Sequence, residues 1–362
     1  MLGGKNMKKL EVSSFELRVA AFAVAVASSM TLSAATNDFY VGSSYTTDAT
    51  HFNTVQAAFD AVPEESSDSY VIHLAAGEYA ESVVASNKTH NILLIGNERN
   101  PGNYQIVGNT TQYADGDALR LTGAMANFEA RGVTFINAQW KAWRDAGFPS
   151  GEHPGIKNAV YIGSLGSPAA FRHCRIHAGQ DTLYIDKAAG YFEDCLIEGD
   201  TDFIYGTKTA LFNRCEIFSR GGHVTAGAHP AGTYIGYLFW KCRFLVASGK
   251  ETDLGRSWRS GANVWLADCY IGKGVATGMW GYWNDIKGLT VLRDYGTRSE
   301  TRFTPPNLKG QWGEGVITRG TMEEFWQEMK GFGFDSIDDI FSQEADDWRP
   351  VMRNGIEIRE AL

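Results

Sequence analysis

The sequence predicts an all-β protein, a parallel β-helix with short capping helices at its ends. Two observations lead to this prediction. Five cysteines stand in one recurring sequence context, and short strand-like runs alternate with Gly-rich corners along the chain of 362 residues. A repeat this short indicates a solenoid, in which each unit packs mainly against its two neighbours.

The repeat is defined by the cysteines, each of which fits the pattern apolar-x-x-Cys-x-apolar. The five segments are FRHCRI (171–176), FEDCLI (192–197), FNRCEI (212–217), FWKCRF (239–244) and LADCYI (266–271). Successive cysteines are 21, 20, 27 and 27 residues apart, and FEARGV (128–133) is a cognate segment without a cysteine. Because equivalent positions of successive coils stack about 4.8 Å apart, the cysteines should form one inward-facing column. We expect buried free thiols, since in-register strands separate the Cβ atoms too far for a disulfide; one or two disulfides are the alternative.

Helical patterns are confined to the two ends of the solenoid. In HFNTVQAAFDAVP (51–63), Phe52, Val55, Ala58 and Phe59 recur at helical intervals, which predicts a short amphipathic helix that caps the first coil. At the other end, TMEEFWQEMKGFGFDSIDDIFSQEADDW (321–348) reads as helical and acidic. Its charges are expected to form a solvated face.

The first 35 residues have the pattern of a signal peptide. A lysine-bearing start is followed by an apolar run over 19–26 and by small residues up to Ala35. Glu11 and Glu16 are unusual before such a run, and a membrane anchor is therefore the alternative. We predict one domain over 36–362, exported to an extracellular or periplasmic location. The net charge of −9 argues against nucleic acid as a partner.

Two aspartates stand at equivalent places in GQDTLYIDKAAGYFEDCLIEGDTDFIYG (179–206). Asp181 and Asp202 each follow their cysteine by 7 residues, so we expect them on adjacent coils with backbones about 5 Å apart. His223 falls almost in this column, and Arg256 joins it if the segment around ASGKETD (247–253) is an insertion of seven residues. The alternative is that both aspartates only cap turns, where Asp is common.

Two carboxylates this close repel each other, so one should have a raised pKa and stay protonated while the other ionises beside a guanidinium. That division suits a general acid and a nucleophile.

Other chemistry has little support, because the chain lacks a G-x-S-x-G elbow, a phosphate-binding Gly loop and a C-x-x-C pair. His173 and His177 are four residues apart, a spacing typical of metal-binding pairs on a helix, but the segment is expected to be a strand, so no metal site is predicted. Trp258 and GMWGYW (278–283) could stack on sugar rings or simply pack.

At this point the motifs resemble those of the pectin methylesterases, right-handed parallel β-helix enzymes that remove methyl esters from polygalacturonate. GQDTLY and DFIYG resemble the family's two aspartate motifs, and LGRSW (254–258) resembles its Leu-Gly-Arg-Pro-Trp motif. Further matching segments are GEYAE (77–81), HFNTVQAAFDAVP, NFEARGVTFIN (127–137), VTA (224–226) and DDWRP (346–350). The resemblance covers about residues 38 to 350.

The resemblance implies a role for each residue of the site. Asp202 would be the nucleophile, Asp181 the general acid and base, Arg256 the residue that orients Asp202, and Gln180 a donor to the oxyanion. The sugar groove would be lined by Tyr184, Tyr205 and Trp258. The family implies pectin (homogalacturonan) as substrate and neither a metal nor an organic cofactor. We also expect a monomer, with no membrane contact after the signal is removed.

The sequence departs from the family pattern in several places. In NAVYI (158–162), Asn158 stands where the family has a glutamine, one methylene longer; it is a candidate oxyanion donor with a weaker or shifted reach. Ser257 replaces a proline and Tyr205 a common phenylalanine. The segment AQWKAWRDAGFPSGEHPGIK (138–157) fits no pattern and could reshape the groove wall.

Two other functions remain open at the level of sequence. A β-helix polysaccharide lyase would need a calcium-binding acidic cluster and a basic catalyst. A non-catalytic pectin-binding relative would not need Asp181, Asp202, Gln180 and Arg256 together, and the presence of all four speaks against it.

Overall fold

The structure is a computed structural model that describes residues 36–337, apart from 67, 89–90, 126, 150–156, 167, 231, 260, 282–289 and 304–315. The predicted signal peptide (1–35) and DDWRP (346–350) lie outside the described residues. The single domain over 36–362 stays a prediction, because that range extends beyond them. No helix among the described residues combines the length and apolar character needed to cross a membrane.

The described chain is built mainly from short strands, and all of its ladders are parallel. In chain order the strands are β1 (Thr36–Val41), β2 (His51–Phe52), β3 (Ser69–Leu74), β4 (Gly77–Ala80), β5 (Val83–Lys88), β6 (Ile92–Ile95), β7 (Tyr104–Val107), β8 (Leu119–Met125), β9 (Phe128–Arg131), β10 (Thr134–Ile136), β11 (Val160–Ile162), β12 (Leu165–Gly166), β13 (Ala169–Arg172), β14 (Arg175–His177), β15 (Leu183–Ile185), β16 (Gly190–Glu193), β17 (Leu196–Gly206), β18 (Ala210–Asn213), β19 (Glu216–Gly227), β20 (Tyr237–Trp240), β21 (Arg243–Val246), β22 (Thr252–Ser257), β23 (Asn263–Ala267), β24 (Tyr270–Ile271), β25 (Val291–Tyr295), β26 (Arg298–Ser299) and β27 (Val316–Gly320). The helices are α1 (Val55–Ala61), α2 (Ala138–Asp145) and α3 (Met322–Gly331), with a 3-10 turn at Pro101–Asn103.

The strands stack into three ladders that run along the solenoid. The first has the order β2-β1-β3-β6-β9-β13-β16-β18-β20-β23-β25-β27. The second runs β4-β7-β10-β14 and continues through the first halves of β17 and β19 to β21, β24 and β26. The third runs β5-β8-β11-β15 and continues through the second halves of β17 and β19 to β22. The predicted parallel β-helix is confirmed.

The core contains two columns that come from the cysteine repeat. Phe171, Phe192, Phe212 and Phe239 stack face to face, with ring centroids 5.2, 4.9 and 4.5 Å apart. The five cysteines are buried free thiols, as expected. Each thiol donates to a backbone carbonyl of the preceding coil, as Cys269 does to Phe239 at 3.2 Å. The repeat pattern is therefore the signature of a stacked apolar core.

The corner before each cysteine has a left-handed backbone that the sequence did not reveal. The φ angles are 50° at His173, 51° at Asp194, 55° at Arg214, 54° at Lys241 and 51° at Asp268. Such values are uncommon outside glycine. The amide of each corner residue donates to a carbonyl of the next coil, as His173 does to Glu193 at 2.9 Å. The stack supplies this bond at every coil and so offsets the cost of the conformation.

The helix predicted near the amino-terminal end is confirmed as α1. The Oγ1 atom of Thr54 accepts a hydrogen bond from the amide of Ala57 and caps the helix. Val55, Ala58 and Phe59 are buried beneath it, which agrees with the predicted apolar face.

The acidic segment near the other end begins with α3. A capping box between Thr321 and Glu324 starts the helix. Phe325 packs against Trp265 and Tyr295, which face outward from the first ladder. The charges are not all solvated, because Glu328 accepts hydrogen bonds from Arg293 and from the hydroxyl of Tyr295.

Helix α2 lies in the segment that fitted no sequence pattern. The Oδ1 atom of Asn137 accepts from the amides of Gln139 and Trp140 and starts the helix. Trp140 is buried, and its ring stacks on His177 with centroids 5.1 Å apart. Helix α2 therefore packs on β14, the strand that leads to Asp181.

Candidate active site

One column of polar residues lies at the start of the third ladder. Leu119, Val160, Leu183 and Ile204 are paired in register on four successive coils. The residue two positions before each of them is polar: Asp117, Asn158, Asp181 and Asp202. The structure therefore places the two aspartates of the sequence analysis on adjacent coils, and it extends their column by Asn158 and Asp117.

Both aspartates occupy left-handed corners, with φ of 60° at Asp181 and 53° at Asp202. Aspartate and asparagine tolerate this region better than most residues. The amide of Asp181 donates to the carbonyl of Thr201 at 3.0 Å, which ties the first corner to the second. The backbone thus fixes the positions from which the two carboxyl groups start.

Asp202 is buried and held by an arginine. Arg256 Nε donates to Asp202 Oδ1 at 2.8 Å, and Nη2 donates to Oδ2 at 2.7 Å. Such a bidentate contact is among the stronger ion pairs and fixes the plane of the carboxylate. Asp202 is therefore oriented by a permanent positive charge.

The predicted register of Arg256 was wrong. Arg256 pairs with Ala226, and Ala226 pairs with Tyr205, so the arginine lies in the row of Tyr205 and not in the aspartate column. Arg256 follows Cys242 by 14 residues, whereas Tyr205 follows Cys195 by 10. Compared with the coil of Asp202, the coil of Arg256 therefore has a net insertion of four residues rather than seven. The long side chain of Arg256 reaches back from the row of Tyr205 to Asp202. His223 pairs with Thr201, one position before Asp202.

The two carboxyl groups have different surroundings. Burial and the neighbouring carboxylate of Asp202 raise the pKa of Asp181 to about 6, while a hydrogen bond from Gln180 and the charge of Lys157 oppose the rise. Asp202 has the guanidinium of Arg256 instead. The site thus offers one carboxyl that keeps its proton up to about pH 6 and one carboxylate paired with a cation.

Gln180 and Asn158 flank Asp181. The side chain of Gln180 hydrogen-bonds Asp181. Asn158 is buried on the preceding coil, where its Oδ1 accepts from the hydroxyl of Tyr205 at 3.0 Å. Asn158 also hydrogen-bonds Asp117, although burial still raises the pKa of that carboxyl. Both amides therefore lie in the immediate surroundings of the aspartate pair.

A row of aromatic rings runs beside the polar column. Tyr161, Tyr184 and Tyr205 are in register on successive coils, with ring centroids 5.1 and 4.2 Å apart. Trp258 meets Tyr205 edge-on at 5.8 Å, and the guanidinium of Arg259 lies 3.9 Å above the Trp258 ring. The four rings are partly exposed, so they form an aromatic surface next to the carboxyl groups.

Tyr161, Arg120 and Asp117 also belong to these rows and were not predicted from the sequence. AVYI (159–162), TLYI (182–185) and FIYG (203–206) each carry a tyrosine at the third position, and this repetition could have identified Tyr161. Arg120 continues the row, lies 4.5 Å from the centroid of Tyr161 and forms an ion pair with the buried Asp117. No local signal connects these two residues to the site before the coils are aligned.

The two histidines of HCRIH do not come together. His177 Nδ1 contacts Glu198 at 2.8 Å, and Arg220 Nε donates to the same carboxylate at 2.5 Å. His173 instead approaches Glu98 at 3.8 Å. Within the part of the chain that the structure describes, no group of three or more His, Cys, Asp or Glu side chains could hold a metal ion. Trp280 of GMWGYW is buried, whereas Trp283 lies outside the described residues.

The fold and site together define a parallel β-helix protein with an arginine-held aspartate beside a second aspartate of raised pKa. The pectinesterase family model matches residues 44–301, more than half of the chain. The chain belongs to the pectinesterase family.

Curated relatives agree with this assignment. The chain is 31% identical over 287 residues to pectinesterase/pectinesterase inhibitor 3 of Arabidopsis thaliana, which covers 74% of this chain and 46% of that protein. It is 29% identical over 360 residues to pectinesterase 2 of the same plant, covering 88% and 58%. The chain spans about half the length of the curated relatives it matches.

Solved structures share the fold. Carrot pectin methylesterase has a TM-score of 0.60 at 23% identity, covering 77% of this chain and 88% of that one. Pectin methylesterase PemA of Erwinia chrysanthemi has a TM-score of 0.60 at 18% identity, covering 88% and 99%. A pectin methylesterase in complex with a hexasaccharide has a TM-score of 0.58 at 18% identity, covering 78% and 94%.

Proposed function

We propose that this chain hydrolyses the methyl esters of pectin, releasing methanol and leaving a free carboxylate on the polymer. The observation that carries the proposal is the bidentate contact of Arg256 with Asp202, beside Asp181 with its pKa near 6. An oriented, ionised carboxylate can attack a carbonyl carbon, and a protonated neighbour can supply the leaving group with its proton.

In the first step, an oxygen of Asp202 bonds to the ester carbonyl carbon, and the carbonyl electrons move onto its oxygen. Gln180 and Asn158 are the side-chain amides available to donate to that oxyanion. The bond to the methoxy oxygen then breaks as Asp181 transfers its proton to this oxygen, so that methanol leaves. The sugar acid is now joined to Asp202 as an acyl-enzyme.

In the second step, water completes the turnover. Asp181 is now a carboxylate and takes a proton from water, whose oxygen attacks the acyl carbon. The bond to Asp202 breaks, and the free acid and the starting state of the site are restored. One water is consumed and one methanol is released, which balances an ester hydrolysis.

The aromatic row supports a sugar polymer as substrate. Tyr184, Tyr205 and Trp258 present partly exposed rings beside the aspartates, and such faces suit the apolar faces of sugar rings. The names of the relatives and the oligosaccharide complex point to pectin. In this proposal the protein acts as an exported monomer outside the cytoplasm, after removal of residues 1–35 as a signal peptide.

The test is to incubate the purified protein with highly methylated pectin and to measure methanol, acid and unsaturated chain ends. Hydrolysis predicts methanol and acid in equal amounts and no unsaturated ends. Unsaturated ends without methanol would indicate a lyase, and binding without any product would indicate a non-catalytic relative. A small methyl ester in parallel shows how much of the rate requires the polymer.

A further inference from the structure

The hydrogen bond between Tyr205 and Asn158 joins two residues that are 47 positions apart, on coils separated by the coil of Asp181. The donor is the hydroxyl of Tyr205 and the acceptor is Asn158 Oδ1. These are also two positions at which the sequence departs from the pattern it resembles, with a shorter amide and a tyrosine in place of phenylalanine. The two departures meet at one hydrogen bond.

This bond determines which way the amide of Asn158 faces. A side-chain amide has an acceptor end and a donor end, and its orientation follows from its partners. Because Oδ1 accepts from Tyr205, the donor nitrogen is on the opposite side, where Asn158 contacts the carboxyl of Asp117. The reverse orientation would place Oδ1 against that carboxyl oxygen, which is repulsive. The nitrogen carries two N–H groups, and a contact with Asp117 occupies only one of them.

Tyr205 is itself held firmly. Its ring stacks on Tyr184 with centroids 4.2 Å apart and an interplanar angle of 10°, and Trp258 contacts its edge. Burial and the nearby carboxyl of Asp181 raise the pKa of Tyr205. The hydroxyl therefore keeps its proton and remains a donor at the pH values at which a pectin ester is stable in solution.

We propose that Tyr205 is a positioning residue whose hydroxyl orients Asn158 so that one amide N–H is free to stabilise the oxyanion. The inference deepens the proposed function and rests on it. The pair acts as a unit: the hydroxyl fills the space beside the shorter asparagine and supplies the contact that holds it. A glutamine at 158 would carry its amide one bond further, toward the hydroxyl oxygen now 3.0 Å from Oδ1.

The test compares the wild-type protein with Tyr205→Phe, Asn158→Gln and the double variant, measuring kcat and KM for methanol release from methylated pectin. Tyr205→Phe should lower kcat about tenfold, less than the loss of a whole oxyanion donor. Its KM should change less than about twofold, since the ring and its stacking remain. Asn158→Gln should also lower kcat, because the hydroxyl obstructs the longer side chain. In the double variant kcat should recover to within about threefold of wild type. The phenylalanine no longer obstructs the longer glutamine, and the glutamine no longer needs the tyrosine hydroxyl to orient its amide.

Tyr234→Phe is the matched control, because Tyr234 is an exposed tyrosine whose ring contacts Phe332, a residue outside the candidate site. It should leave kcat and KM unchanged. Thermal unfolding of every variant separates misfolding from a kinetic effect, and rescue in the double variant is a result that simple destabilisation would not give. Wild-type kcat in Tyr205→Phe, or losses in the double variant equal to the product of the single losses, would overturn the inference alone. A wild-type protein that releases no methanol would overturn the proposed function and this inference with it.

Discussion

Arg256 holds both carboxylate oxygens of Asp202, with Nε 2.8 Å from Oδ1 and Nη2 2.7 Å from Oδ2. The two residues are 54 positions apart and lie on different coils. Their contact is therefore created by the solenoid stack and not by local sequence, and it fixes the carboxylate that we propose as the nucleophile.

The first prediction concerns the geometry of this contact. Arg256→Lys keeps the charge but replaces a planar fork by a single ammonium group, which cannot hold both oxygens in one plane. We expect kcat for methanol release to fall about 10- to 100-fold, which corresponds to roughly 1.5 to 3 kcal/mol for a hydrogen bond to a charged group. Arg214→Lys is the control, because Arg214 makes the same bidentate contact with Asp194 at 2.9 and 2.8 Å on an outward corner. Equal kcat in the two variants would show that the orientation of Asp202 is unimportant.

The second prediction concerns the pH dependence of the reaction. Asp181 must be protonated to release methanol, and its pKa is raised to about 6 by burial and by Asp202. We expect kcat/KM to fall by about a factor of ten per pH unit above about pH 6. Lys157 opposes the raised pKa of Asp181, so Lys157→Gln should move this decline to higher pH. A decline that does not move, or that moves to lower pH, would show that the titrating group is not Asp181.

The same pKa predicts how stability depends on pH. A carboxyl whose folded pKa lies above its unfolded value binds more protons in the folded state, so its stabilising contribution is present at low pH and is lost as the pH rises through about 6. The Asp181→Asn variant has no carboxyl at this position, so its stability does not show this decrease as the pH rises. We expect the free energy of unfolding of the variant, relative to wild type, to increase by up to about 2 to 3 kcal/mol between pH 4 and pH 7. Chemical denaturation at several pH values measures it, and a difference that stays constant with pH would contradict the assignment.

The cysteine column gives a prediction that is independent of catalysis. The five thiols are free and buried, and burial raises the pKa of each. Thiolates are the reactive form, so a thiol reagent should label none of the cysteines in the native protein and all of them after unfolding. Samples prepared with and without a reductant should give the same count. Fewer than five labelled cysteines in the unreduced, unfolded sample would reveal a disulfide.

Much of the fold could be predicted from the sequence because the solenoid repeats its apolar pattern at every coil. The spacing of Asp181 and Asp202 from their cysteines was enough to place them on adjacent coils, since no insertion separates Cys174 from the end of β17. A count of this kind needs only that two neighbouring coils have equal length.

The rest could not be predicted because loop lengths differ between coils. The register of Arg256 depended on the length of the insertion before β22, which the sequence does not state. The contact between Asn158 and Tyr205 was hidden for a similar reason, because the segment 138–157 interrupts the repeat before Asn158. Asn137, as a candidate cap, and the tryptophans Trp140 and Trp143, as rings three positions apart, were available signals for α2. The packing partner of Trp140, His177, lies on another coil.

The central claim is that Asp202 is the nucleophile of an ester hydrolase, and Asp202→Asn tests it most directly. Asparagine keeps the shape of the side chain and tolerates the left-handed corner at φ 53°, which alanine tolerates less well. Asp194→Asn is the matched control, since Asp194 also occupies a left-handed corner, at φ 51°, and also binds an arginine through two bonds.

The measurement is the rate of methanol release from highly methylated pectin by the wild-type protein and the two variants, each shown to be folded by thermal unfolding. We predict full activity in wild type and Asp194→Asn, and a loss of about 10⁴-fold or more in Asp202→Asn, as for the removal of other catalytic nucleophiles. Methanol release by Asp202→Asn within tenfold of the Asp194→Asn rate would contradict the claim.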